Sequence, residues 1–81
     1  MWYLQAFDND TELQTEIYLL HDMTAEIVKD ILGIDDSDFD LPVGVRQNDV
    51  PLEKVPEFAK YIHDPLKIDQ NCEYEVSNLA D

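Results

Sequence analysis

Two short alternating runs, residues 2–8 and 13–20, flank a tight turn, and they limit what this chain can fold into more than any other feature. In WYLQAFD, Trp2, Leu4 and Ala6 point one way and Tyr3, Gln5 and Phe7 the other, with the period of a strand. Asn9-Asp10 supplies a turn, because both residue types tolerate tight-turn backbone angles. In the second run Leu13, Thr15, Ile17 and Leu19 share one face, and Gln14, Glu16, Tyr18 and Leu20 the other. So short a connection makes the pair an antiparallel hairpin. The apolar look of Ile17 and Leu19 assigns their face to the core, beside Trp2 and Leu4.

A helix is predicted over residues 25–32. Thr24 is a good N-cap, Met23 can staple onto Val28, and Glu26 lies in the first turn, where the helix dipole favours an acid. Ile27, Val28, Ile31 and Leu32 form its buried stripe, and Gly33 ends it. Residues 43–47 read as a short third strand weakened by Gly44. Leu52, Val55, Ala59 and Ile62 recur on one helical face between Asp49 and His63, with a kink or two short pieces expected from Pro56 and an end at Pro65. Residues 66–69 are predicted as an edge strand, and residues 72–77 alternate clearly. The resulting order, β-β-α-β-α-β-β, predicts a single α+β domain over residues 1–81. It has a small antiparallel sheet of about four strands and one or two helices packed on one face.

At 81 residues the domain sits near the lower size limit for a core without staples. A hydrophobic fraction of 44% with eight aromatic residues suits a compact fold and argues against disorder. The lone Cys72 excludes an internal disulfide and gives no sign of an oxidising compartment. Neither a signal peptide nor a membrane span is legible, so the chain is expected in the cytoplasm.

Nineteen acids against five bases give a formal charge of −14, and residues 1–40 carry eleven of the acids with one base, Lys29. Self-repulsion on this scale opposes compactness. One explanation is solubility, since acidic side chains aid it more than basic ones. The sharper one is a surface matched to a basic protein partner. Phosphate repels such a surface, which excludes nucleic acid and anionic membranes as partners.

The catalytic search is empty. Asp36, Asp38 and Asp40 open like a calcium loop, but Leu41 stands where that loop needs Gly, Gln47 where it needs Glu, and Pro42 interrupts it. Ser37 lies in an acidic serine segment similar to that of acyl carrier proteins, yet Pro42 and Gly44 oppose the helix that family starts there. His21-Asp22 and His63-Asp64 are sequence neighbours, which do not face each other on an element. Cys72 has acidic and amide neighbours, shares a face with Tyr74 and Val76, and reads as a buried structural cysteine. Phosphate loops, metal-spaced Cys/His sets and nucleophile elbows are missing from the sequence. The expectation is a non-enzyme, monomeric when free, with no cofactor and no metal.

What remains is a surface. The expected second face of the sheet carries Tyr3, Gln5, Phe7, Gln14, Glu16, Tyr18, Glu73 and Glu75, while Trp2, Leu4, Ile17, Leu19, Tyr74 and Val76 pack on the helices. Aromatic rings interleaved with carboxylates suit protein recognition, the rings anchoring and the acids steering. The plainer alternative is a second small core of ordinary cross-strand pairs. Asp35, Asp36 and Asp38, in the acidic loop, join the expected partner-binding residues.

Phe7-Asp8, Thr11-Glu12, Leu32-Gly33, Val55-Pro56-Glu57-Phe58 with Tyr61, Ile68-Asp69 and Glu73-Tyr74-Glu75-Val76-Ser77 follow one another along nearly the whole chain. In these residues the chain resembles the small acidic immunity proteins of the cloacin and ribosomal-RNA-cleaving colicin type. The resemblance implies a four-stranded antiparallel sheet with helix on one face. It also implies binding and neutralisation of the nuclease domain of a toxin made by the same cell, with toxin contacts on the uncovered sheet face. The chain departs from that family in its second helical segment and lacks several of its second-strand aromatics. Contact-dependent inhibition systems and other polymorphic toxins use immunity proteins of similar size and charge. A nuclease binds phosphates and so is basic, and charge complementarity speeds its capture. Two alternatives stand beside this: a nucleic-acid mimic that inhibits a DNA- or RNA-binding enzyme, and a stand-alone regulatory domain.

Overall fold

The computed structural model describes residues 1–34 and 47–79. All but Gln47 of the third strand expected at residues 43–47, the calcium-like and carrier-like segment, and Asp35, Asp36 and Asp38 lie outside the described residues. Two seven-residue strands, β1 (Trp2–Asp8) and β2 (Gln14–Leu20), open the chain and α1 (Ala25–Leu32) follows. Then come β3 (Asn48–Val50), a 3-10 turn at Leu52–Lys54, α2 (Val55–Ala59) and β4 (Cys72–Asn78). The fold is α+β: among the described residues, one antiparallel sheet in the order β2-β1-β4-β3 and two short helices.

The first sheet face holds the core. Trp2, Leu4 and Ala6 from β1, Tyr74 and Val76 from β4 and Val50 from β3 cluster with Val28 of α1 and with Val55 and Phe58 of α2. Both described helices therefore cover the same face. Helix α1 forms where its caps dictate: the Thr24 hydroxyl accepts from the Ile27 amide at 3.2 Å, and Gly33 closes the helix in the left-handed region at φ 65°. Val28 is fully buried, and Ile27, Ile31 and Leu32 pack around it half-buried. Met23 is buried in the same cluster.

Three expectations are corrected. The helix predicted between Asp49 and His63 is shorter, because Asn48–Val50 pairs with β4 as a strand and Pro51 intervenes before the 3-10 turn. Of the two outcomes expected from Pro56, two short pieces form: the 3-10 turn and α2, with Pro56 in the first turn of α2, where its missing N–H costs no hydrogen bond. Leu52 is exposed, and Phe58, outside the predicted stripe, is fully buried instead. Finally, residues 66–69 do not form a strand. That segment hangs on the Tyr74 hydroxyl, which accepts from the Asp69 amide at 2.8 Å and donates to the Lys67 carbonyl at 3.4 Å.

Two sequence-distant histidines meet at the end of β2. The rings of His21 and His63 stack with centroids 3.5 Å apart, and the His21 amide donates to the Tyr61 carbonyl at 2.7 Å. This clasp joins the end of the hairpin to the segment after α2.

Candidate interaction face

The second sheet face is set by β1 and the strands paired to it. Residues directly opposite in an antiparallel pair project to the same side. Three rows follow: Leu19–Tyr3–Ser77, Ile17–Gln5–Glu75–Asp49 and Gln14–Phe7–Glu73. The β2 and β1 columns are largely apolar, and the β4 and β3 columns largely acidic.

Tyr3, Gln5, Phe7, Gln14, Glu73 and Glu75 are thus brought together as expected, but Glu16 and Tyr18 are not. Glu16 pairs with Ala6 and Tyr18 with Leu4, which places both on the first face, and Ile17 and Leu19 take their places on the second. The cause is a bulge: the register shifts between Ala6 and Phe7, where one step on β1 faces two on β2, from Gln14 to Glu16. Thr15 is the extra residue. Its hydroxyl donates to the Ala6 carbonyl at 3.3 Å and lies 3.8 Å from the buried Cys72 Sγ. Beyond the bulge Leu20, opposite Trp2, is 2% exposed, whereas Ile17 is 46% exposed. Ile17, Leu19, Asp49 and Ser77 are the face residues missed from sequence; the signal available for the first two was the apolar Leu20 just before the turn into α1.

A polar thread crosses this face. Ser77 Oγ donates to Gln5 Oε1 at 2.9 Å, and Gln5 Nε2 donates to Gln14 Oε1 at 3.2 Å. Gln5 and Ser77 are both buried, so Gln5 ties β1 to its neighbours from within the face. Around it Tyr3, Phe7 and Leu19 are half-buried, and Gln14, Glu73 and Asp49 exposed. Burial pushes the Glu75 carboxyl above its ordinary range, and the charges of Asp49 and Glu73 add to the rise. A like-charged trio of this kind is relieved by a cation placed over it.

On the first face, beyond the bulge, a cavity of about 530 Å³ opens between β2, β4 and the loop before β4. Asp8, Glu16, Asp64 and Asp69 line it with one base, Lys67. Burial raises the Tyr18 phenol at its edge, with Glu16 contributing. Among the described residues no group of three or more His, Cys, Asp or Glu is arranged to hold a metal ion. Nor, among them, is any helix long and apolar enough to cross a membrane.

Residues 1–77 match the family described as Domain of unknown function (DUF7683), and the chain belongs to that family. No curated protein and no solved structure matches it.

Proposed function

We infer that this protein is an immunity protein that binds and neutralises a basic, nuclease-like toxin domain through the second face of its sheet. The observation that carries the reading is the mixed character of that face in a chain of charge −14: Tyr3, Phe7, Ile17 and Leu19 lie beside Asp49, Glu73 and Glu75. Apolar side chains on a sheet face that neither described helix covers supply anchors, and the carboxylates steer a cationic partner. The resemblance to bacteriocin immunity proteins points the same way. So does the division of labour between the faces, one holding the core and the other covered by neither described helix. The protein acts as a monomer in the cytoplasm of the toxin-producing cell and performs no chemistry of its own.

A nucleic-acid mimic is the weaker reading. Mimicry needs carboxylates spaced like phosphates along an extended surface, and here half of the face is apolar.

The test is titration against a basic toxin domain, such as one encoded immediately upstream of this chain. Steered association should slow by about tenfold or more when salt rises from about 50 to about 500 mM, because the Debye length shrinks several-fold. Rates flat across that range assign the acidity to solubility alone. Ile17→Asp should weaken the complex by about 2 kcal/mol, as expected for an interface anchor, and leave the melting temperature nearly unchanged. Undiminished binding by that variant removes the second face from the interface.

A further inference from the structure

The hydrogen bonds at the sheet ends reveal which way each strand turns its backbone. Met1 and Leu79 exchange both bonds, N to O at 3.0 and 2.9 Å, and the Asn9 amide donates to the Asn71 carbonyl at 2.9 Å. Odd-numbered residues of β1 therefore bond to β4 and even-numbered ones to β2, by the alternation of an antiparallel ladder. On β2 it follows that Glu16, Tyr18 and Leu20 bond inward to β1. Ile17 and Leu19 turn their N–H and C=O groups away from the sheet. The next group in that outward series, the His21 amide, is already taken by Tyr61, and the Thr15 bulge limits the other end. A strand edge with two outward-turned residues lies between them, since among the described residues β2 is the outermost strand and pairs with β1 alone.

Natural sheets blunt such edges with charge, proline or a bulge. This edge has the bulge but little charge: between Leu13 and Leu20 the chain places one acid, Glu16, although it carries nineteen in all. The two sides of the edge differ. Over the second face a strand laid against β2 meets Ile17 and Leu19. Over the first face it meets Tyr18 and Glu16, at the rim of the acid-lined cavity.

We propose that an extended segment of the basic partner adds to β2 as a fifth strand, pairing with Ile17 and Leu19, with apolar residues over the second face and a Lys or Arg directed at the acid-lined cavity. This rests on the toxin-binding reading and specifies how that partner docks. Main-chain pairing supplies affinity in strand addition, and the alternate side chains supply specificity. Charge decides the occupant: a second copy brings another −14 to the edge, whereas a basic strand is attracted by Asp8, Glu16, Asp64 and Asp69.

The probe is an end-blocked peptide of alternating lysine and valine, titrated into the full chain and followed by amide NMR and hydrogen exchange. Its partner probe is the same peptide N-methylated on alternate residues, which keeps the charge and removes the strand donors. Strand addition is expected to slow exchange of the Ile17 and Leu19 amides at least about tenfold with the first peptide only. Ile17→Pro should abolish that protection while keeping the ladder to β1, because the lost N–H points outward. Equal binding by the two peptides, or shifts centred on Asp49, Glu73 and Glu75, overturns strand addition and leaves the basic-partner reading standing. Binding of neither peptide also overturns it, and the salt titration against the toxin domain then decides the broader reading alone. Sedimentation showing self-association that strengthens with salt and disappears in Ile17→Pro assigns the edge to a second copy and overturns the basic occupant.

Discussion

Strands β1 and β2 have the same length and much the same apolar content, yet one displays its inward face in its sequence and the other conceals it. In β1, a central strand, Trp2, Leu4 and Ala6 are buried as their alternation suggests. In β2, an edge strand, the alternation offers two nearly equal choices: Ile17 with Leu19, or Tyr18 with Leu20. A strand whose two faces are similarly apolar does not specify its own register, and a one-residue slip exchanges every side chain between core and surface. The choice is made by the Thr15 bulge and by Leu20, which must enter the core opposite Trp2 before the chain turns into α1.

Truncations in the two strands give the largest contrast. Leu4→Ala removes a fully buried side chain at the centre of the sheet and should lower stability by about 2–5 kcal/mol. Ile17→Ala, at 46% exposure, should cost about 0.5 kcal/mol. Chemical denaturation of both variants checks the pair, and equal losses would show that β2 presents Ile17 to the core after all.

The polar thread that joins β1 to its neighbours comes next. Ser77→Ala leaves the buried Gln5 carbonyl oxygen without its donor, a loss of about 1–3 kcal/mol. Gln14→Ala removes only an exposed partner of Gln5 and should be nearly neutral in the same denaturation series. If Gln14→Ala proves the costlier, the thread is anchored on β2 and not on β4.

A smaller effect separates the acidic columns of the face from the apolar ones. The folded pKa of Glu75 lies above its ordinary value because of burial and the neighbouring Asp49 and Glu73. Folding therefore disfavours its charged form: the penalty is present at neutral pH and is relieved as pH falls through the raised pKa. Glu75→Gln should melt above the parent chain near pH 7, and the gap should close on acidification into the carboxylate range. A gap constant with pH would mean that the gain comes from packing and not from charge. Binding of a basic partner should weaken over the same interval, since the lost charge is on the proposed contact face.

The hairpin turn gives the smallest change. Asp8 Oδ1 accepts from the amides of Asp10 and Thr11 at 2.8 and 3.0 Å, which holds the Asp8 carboxyl below its ordinary range, the Thr11 bond contributing most. Glu12 closes the turn at φ 62°, a left-handed conformation unfavourable to a residue with a Cβ. Glu12→Gly should raise stability by about 0.5 kcal/mol, the relief of that strain offset in part by the freer unfolded chain. A loss measured by the same melts would mean that the Glu12 side chain contributes to the turn.

Several features were decided by the sequence alone because their causes are local. Thr24 and Gly33 delimit α1 through bonds within one turn of helix. The alternation in β1 and β4 has one dominant apolar set, so Tyr3, Gln5, Phe7, Glu73 and Glu75 were legible as neighbours on one face, and Cys72 as a buried thiol. The net charge is a sum and needs no fold. What only the tertiary structure decided depends on partners far along the chain. Glu16 and Tyr18 lost their place on the second sheet face to Ile17 and Leu19 because the bulge is defined against β1. The predicted strand at residues 66–69 gave way to a loop because Tyr74, one strand later, holds its backbone. Phe58 entered the core because Pro56 begins α2 instead of bending a longer helix. His21 and His63, each beside an aspartate in sequence, found their neighbour across the fold. Periodicity specifies that a face exists, whereas long-range pairing specifies which residues occupy it, since a strand's register is an energy difference between whole arrangements and not a property of any one run.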